Sequence, residues 1–234
     1  AVMLGLLCLT EPILTQASQA TSYTYTHDDK MNSVRTQDAY LPQQTITNLG
    51  LNAAEDMFID KSNIMYIADT GNLRIVKYDI SKGAYMEEFS HPEFQSPKGI
   101  FVTGDGTIYV ADSKAKAVFV FDQDWKLVRK LERPRVPAFG DTPFDPAKVA
   151  ADGRGNVYIV GEGVYSGVIQ MSEAGEFQGF FAVNKTDLTT FQKLQTVFFT
   201  REQLGRLLNR NPVTFANVTL DDRGIVYTVT LGKR

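Results

Sequence analysis

The sequence predicts an all-β fold made by repetition, a β-propeller of four-stranded blades with about three and a half blades present. Three observations predict it. Short apolar runs bounded by Gly, Asp and Asn turns each carry a Tyr: Ile64-Met65-Tyr66-Ile67, Thr107-Ile108-Tyr109-Val110, Val157-Tyr158-Ile159-Val160 and Ile225-Val226-Tyr227-Thr228. Each comes after another run whose closing polar residue, Asp60, Thr103, Asp152 or Asp221, lies six positions before the Tyr. The Tyr anchors are then 43, 49 and 69 residues apart. A four-stranded blade takes about 40 to 50 residues, so the first two intervals hold one blade each and the third a blade plus an insertion.

The stretch Tyr66-Ile67-Ala68-Asp69-Thr70-Gly71-Asn72-Leu73-Arg74-Ile75 resembles the core of an NHL repeat, and Pro97-Lys98-Gly99-Ile100 through Tyr109-Val110-Ala111-Asp112 resembles a second. In the third copy Gly161 replaces the Asp, and in the fourth Thr230 stands there. The resemblance covers residues 53–234. It implies an NHL-repeat propeller of the bacterial secreted type, of which this sequence is a fragment of a six-bladed ring.

With 43% hydrophobic and 22% charged residues, 234 residues suffice for one good core without a disordered bias. A net charge of -3 with no basic stripe in the repeats argues against nucleic acid as a partner.

Residues 1–20 differ in character from the rest of the chain. Ala1 to Leu9 is an apolar run, Glu11 and Pro12 break it, and Ser18-Gln19-Ala20 supplies the small residues of a cleavage site, so this segment reads as a signal peptide. Its basic start and initiator Met are missing, which predicts truncation. The run is shorter than the ~20 apolar residues of a membrane span. The one cysteine, Cys8, lies within it, so the mature chain could form no disulfide. Bulky Leu7 before Cys8 is unlike a lipoprotein signal. Secretion, or display on a bacterial surface, is the expected localisation.

Residues 21–52 form a polar lead-in, where Tyr23-Thr24-Tyr25-Thr26 alternates like a strand able to close the ring against the last blade. Blade one is expected at Met57–Asp60, Ile64–Ala68, Arg74–Tyr78 and Tyr85–Phe89. Blade two starts at Pro97, with Val118–Phe121 and Trp125–Leu131 as its outer strands. A loop with four prolines, Glu132 to Pro146, leads to blade three at Ala147, whose outer strands are Val168–Met171 and Phe177–Ala182. Between blades three and four, residues 184–211 read as two short amphipathic helices. Leu188, Phe191 and Leu194 sit at helical spacing, and Thr200-Arg201-Glu202-Gln203 forms a capping box before Leu204, Leu207 and Leu208. Such an insertion serves either as a lid packed on the propeller or as a partner-binding flap. Blade four begins near Phe215.

The first strand of each blade lines a propeller's channel, and the residues just before it form the mouth. Aligning the copies on their Tyr anchors places Glu55 and Asp56, Lys98, Lys148 and Asn217 there. The fold also resembles lactonases of the gluconolactonase type, which implies a divalent cation held at the mouth by carboxylate and amide oxygens. Glu55 and Asn217 would suit calcium, whereas Lys98 and Lys148 would oppose it as like charges. The lysines would equally pair with Glu55 and Asp56 as a structural network, or bind an acidic sugar or a C-terminal carboxylate. A resemblance to the peptide-amidating lyase implies a multi-histidine zinc site, but His27 and His91 are the only histidines.

Asp69 and Asp112 lie at equivalent repeat positions on different blades, so they read as turn residues rather than a catalytic pair. Arg74 precedes a third strand and reads as structural. Ser166 lacks a nucleophile elbow, and Val160-Gly161-Glu162-Gly163 lacks the Lys and helix of a phosphate loop. The expected function is therefore a binding or assembly module for a protein, peptide or carbohydrate ligand, without a cofactor. The alternative is a calcium-dependent lactonase or related hydrolase.

Overall fold

The computed structural model describes residues 24–36, 45–182, 214–221 and 223–230. The 1–20 leader and the 184–211 insertion lie outside these residues. The chain divides into two units, Ala1–Asn48 and Leu49–Arg234.

In the first unit, β1 (Thr24–His27) pairs antiparallel with β2 (Ser33–Thr36). Of the Tyr23–Thr26 segment expected to be a strand, residues 24–26 lie in β1, whose partner among the described residues is β2 in a two-stranded hairpin. The turn supplies the reason. Asp28 Oδ1 accepts the amides of Lys30 and Asn32, and Met31 adopts φ 63°, closing a hairpin locally.

The second unit holds three complete four-stranded antiparallel sheets. Blade one is β3 (Ala54–Ile59), β4 (Ile64–Asp69), β5 (Arg74–Asp79) and β6 (Ala84–Phe89). Blade two is β7 (Pro97–Val102), β8 (Ile108–Asp112), β9 (Ala117–Phe121) and β10 (Leu127–Leu131). Blade three is β11 (Pro146–Ala151), β12 (Asn156–Gly161), β13 (Val168–Ser172) and β14 (Phe177–Phe181). A two-stranded sheet comes next, β15 (Phe215–Leu220) with β16 (Val226–Thr230).

The six-residue offset before each Tyr is a turn device. Asp60, Asp152 and Asp221 each accept two amides of the adjoining turn with Oδ1, at 2.8 to 2.9 Å. In blade two, Asp105 Oδ1 accepts the Thr107 amide, and the Thr103 hydroxyl donates to Asp105 and to the Thr107 carbonyl. The fourth turn residue is left-handed in every copy, with Asn63 at φ 59° and Gly106, Gly155 and Gly224 at 87°, 83° and 76°. Only Gly, or less readily Asn, takes that conformation cheaply.

Burial of the Asp152 carboxyl would raise its pKa, but donation from Asn156, Arg154 and Tyr158 outweighs this and lowers it. The stability it supplies is thus present above the ordinary aspartate pKa and is lost as pH falls through the lowered native value. Asp152→Ala is expected to cost about 1 to 2 kcal/mol at pH 7. The difference from the native chain should close in acid, as read from urea midpoints at a series of pH values.

Blade two explains how the sheets stack. Its first three strands are buried on both faces, and their residues alternate between two cores. Ile100, Val102, Ile108, Val110, Phe119 and Phe121 join Tyr66, Ala68 and Ile75 of blade one. Phe101, Tyr109, Ala111, Val118 and Val120 join Val149, Ala151, Val157 and Ile159 of blade three. Phe58 on Phe101 at 4.8 Å, and the flat stack of Phe89 on Trp125 at 4.4 Å, tie blade one to blade two. First strands stand beside first strands in the order β3, β7, β11, β15. Val218 of β15 completes the core against blade three.

Candidate binding site at the channel mouth

Each first strand carries one extra residue near its start. Pairing with the second strand shifts between Ala54 and Asp56, Pro97 and Gly99, Pro146 and Lys148, and Phe215 and Asn217. Glu55, Lys98, Ala147 and Ala216 are therefore bulge residues, and Asp56, Gly99, Lys148 and Asn217 are the paired residues next to them. Glu55 and Lys98 each lie eleven residues before their Tyr, and Asp56, Lys148 and Asn217 each ten, so Lys98 is the counterpart of Glu55, and Lys148 of Asp56. The bulge interrupts the two-residue alternation of a strand, so a one-residue difference moves a side chain to another environment.

The bulges bring the charges into register. Lys148 Nζ lies 3.1 Å from Asp56 Oδ1, and it donates to the carbonyl oxygens of Glu55 at 2.5 Å and Lys98 at 3.2 Å. The ammonium of blade three therefore ties together the bulges of blades one and two. Asp56 Oδ2 accepts the Ile100 amide at 3.1 Å, adding a bond from blade one to blade two. Burial pushes the Asp56 carboxyl above its usual range, against the pull of Lys148 and that amide. Breaking such a partly buried pair leaves a charge without compensation, which costs more than losing an exposed ion pair.

Lys98 turns the other way. Its Nζ donates to Glu162 Oε1 at 2.7 Å and lies 3.5 Å from Glu55 Oε2. The bond to Glu162 raises the Lys98 pKa, with Glu55 contributing. Of the five expected mouth residues, Glu55, Asp56, Lys98 and Lys148 form one connected cluster. Asn217 stays apart from it: its side chain is exposed, and its Oδ1 accepts the amide of Val218 at 2.8 Å.

Glu162 belongs to the cluster but was not among the expected site residues. It sits in the Gly161–Gly163 stretch, whose composition signals a loop and not a partner for Lys98. An open cavity of about 800 Å³ at this mouth is lined by Glu55, Lys98 and Glu162, and also by Lys114, Lys116 and Asp145. Lys116 lies 3.3 Å from Asp145, whereas Lys114 is exposed with no ion pair among the described residues.

This donor set does not suit a hard divalent cation. The Glu55 carboxylate faces Lys98, its carbonyl and the Asp56 carboxylate take the Lys148 ammonium, and Asn217 is spent on its own backbone. A hard cation needs several convergent, uncommitted oxygens. Among the described residues, no group of three or more His, Cys, Asp or Glu is placed to hold a metal.

Asp69 and Asp112 clasp each blade behind the mouth. Asp112 accepts the amides of Gln95, Ser96 and Ala115 at 2.8 to 2.9 Å. Asp69 accepts from the Asn52 amide, the Asn72 side chain and Arg74 Nε. Arg74 also reaches Glu88 and the carbonyls of Leu49 and Gly50. In blade three, where Gly161 replaces the Asp, the Glu162 amide bonds to the Asp145 carbonyl at 2.9 Å.

No protein-family model and no curated protein matches the chain. In structure it is similar to a catalytically inactive virginiamycin B lyase from Staphylococcus aureus with quinupristin, at 14% identity and TM-score 0.50, covering 88% of this chain and 62% of that one. It is also similar to a streptogramin B lyase, at 11% identity and TM-score 0.49, covering 91% and 57%. The WD40 β-propeller domain of Doa1 gives 13% identity and TM-score 0.49, covering 76% and 47%. The chain spans between 56% and 62% of the lyase chains it matches. Its stacked four-stranded sheets with adjoining first strands define the class, a β-propeller.

Proposed function

We propose that this chain belongs to an exported, NHL-type propeller that acts as a binding or assembly module, taking a protein, peptide or glycan ligand at the channel mouth. The observation that carries this reading is the Lys148 ammonium, held among oxygens of Asp56, Glu55 and Lys98. A metal-dependent lactonase would need a divalent cation in such a place, and a built-in ammonium repels one. A binding surface instead gains from a mouth that is cross-linked before the ligand arrives, because less ordering is left to be done on association. The open cavity beside it offers both signs of charge, with Lys114 as a cation that has no ion pair among the described residues. Export rests on the apolar run and the Ser18-Gln19-Ala20 pattern in the sequence.

Thermal unfolding with and without calcium tests the choice between binder and hydrolase. The expected result is an unchanged midpoint. Calcium at one hundred times its dissociation constant would add about 2.7 kcal/mol, and a rise of that size would favour the hydrolase. Binding itself is read on arrays of peptides and glycans. A ligand whose retention is lost on Lys114→Glu supports the mouth as the site, whereas a ligand indifferent to that change places binding elsewhere.

A further inference from the structure

The opposite end of the second unit, where the first and second strands turn, holds an open cavity of about 1120 Å³. Its lining includes Tyr66 and Tyr109, the anchors of blades one and two, with Phe58 and Phe101 beside them. The four anchors are not equivalent in their bonding. The Tyr158 hydroxyl donates to Asp152 Oδ2 at 3.4 Å, and that of Tyr227 to Asp221 Oδ2 at 3.3 Å.

The hydroxyls of Tyr66 and Tyr109 have no hydrogen-bond partner among the described residues, although the two residues are only 7% and 5% exposed. Neither hydroxyl is sealed in the core, since no fully buried side-chain polar atom lacks a partner. A phenol that is nine-tenths buried, without a protein partner among the described residues and beside a cavity leaves a bond for water or a ligand to complete. Carboxylates accompany both. Asp60 acts on Tyr66, and Asp105 and Glu173 act on Tyr109, whose pKa is pushed up to about 12, first by burial and then by these charges.

Charge sets the chemistry of the ligand. Among the described residues, Asp60, Asp105, Asp152, Asp221 and Glu173 line the cavity, against Lys61 as the one lining cation. Arg223 lies 2.9 Å from Asp221, and Arg129 faces Glu173 at 4.0 Å. Asp60 and Asp105 have no ion-pair partner among the described residues. Two successive blades thus present the same notch, a phenol without a hydrogen-bond partner among the described residues beside a carboxylate whose Oδ1 closes its own turn and which has no ion pair among them. We propose that this end of the propeller binds an elongated aliphatic dication, with one amine in the Tyr66–Asp60 notch and the other in the Tyr109–Asp105 notch. Such a ligand is either a free polyamine or a pair of lysine side chains on a peptide.

Calorimetric titration of the chain with cadaverine, spermidine and an acetylated Lys-Gly-Gly-Lys amide tests this, with pentylamine as the monocation. Saturable binding of at least one dication, and weaker binding of pentylamine, is expected. Preference for the polyamines or for the peptide tells the two sources apart. Tyr66→Phe and Tyr109→Phe each remove one oxygen from a ring that stays packed, and each is expected to weaken binding about tenfold, as loss of a bond to a charged group does. Asp105→Asn should weaken it further at low salt than at high salt. Absence of saturable binding by every dication, equal binding of pentylamine, or unchanged affinity in both Phe variants would overturn the proposal.

Discussion

Asp112→Ala is expected to lower the stability of the second unit by about 4 kcal/mol, the largest loss among single polar substitutions in the blades. Its side chain is fully buried, and its two oxygens accept three backbone amides, those of Gln95, Ser96 and Ala115. Alanine removes every acceptor and leaves the donors in place. An unpaired buried amide costs about 1 to 3 kcal/mol, and no side chain nearby replaces the lost carboxylate. Asp112→Asn should be milder, because one oxygen remains to accept. Urea midpoints of the two variants check the order, and equal losses would mean that burial rather than amide pairing sets the cost.

Gly99→Val is expected to destabilise by about 3 kcal/mol, and Gly99→Ala by somewhat less. A Cβ at Gly99 would stand 2.6 Å from the Ala147 carbonyl oxygen and 2.9 Å from Lys148 Cα. Both are backbone atoms of the neighbouring first strand, so no rotamer change relieves the clash. The strands must separate, and the Lys148 ammonium is then drawn away from Asp56 and the two carbonyls. Gly104→Ala is a suitable control, because nothing lies within 4 Å of its Cβ position. A Gly99 variant as stable as this control would show that β7 and β11 are not in close contact.

The repeat was legible because its signals are local. The Asp-turn-Tyr spacing reports a hairpin closed by its own side chain, and the strands of blades one to three are set by it. The lead-in was legible as a strand, whereas its pairing with β2 was not read from the sequence. Pairing is a tertiary property, and Asp28 with Met31 at positive φ closed the nearer turn. The mouth was legible in its residue types, as Glu55, Asp56, Lys98 and Lys148 show. Their register was legible too, since Glu55 and Lys98 lie eleven residues before their Tyr and Asp56 and Lys148 ten, but the bonds they make between blades were not. Glu162 was missed for a related reason. It meets Lys98 across 64 positions of sequence, and no spacing rule spans two blades. The two unpaired phenols were invisible as well, since all four anchors read alike until their neighbours are known.

Blade two, with one set of side chains in each of two cores, has a thermodynamic consequence. It has no outward wall of its own, so its native shape exists only when flanked. Separating it from either neighbour would wet half of β8 and β9 together, including Phe119 and Phe121 on one side or Tyr109 and Val118 on the other. In a stacked array, stability is the sum of weak units and strong junctions. Here the junctions dominate, which couples the melting of blades one, two and three into a single event in place of a sequence of independent steps.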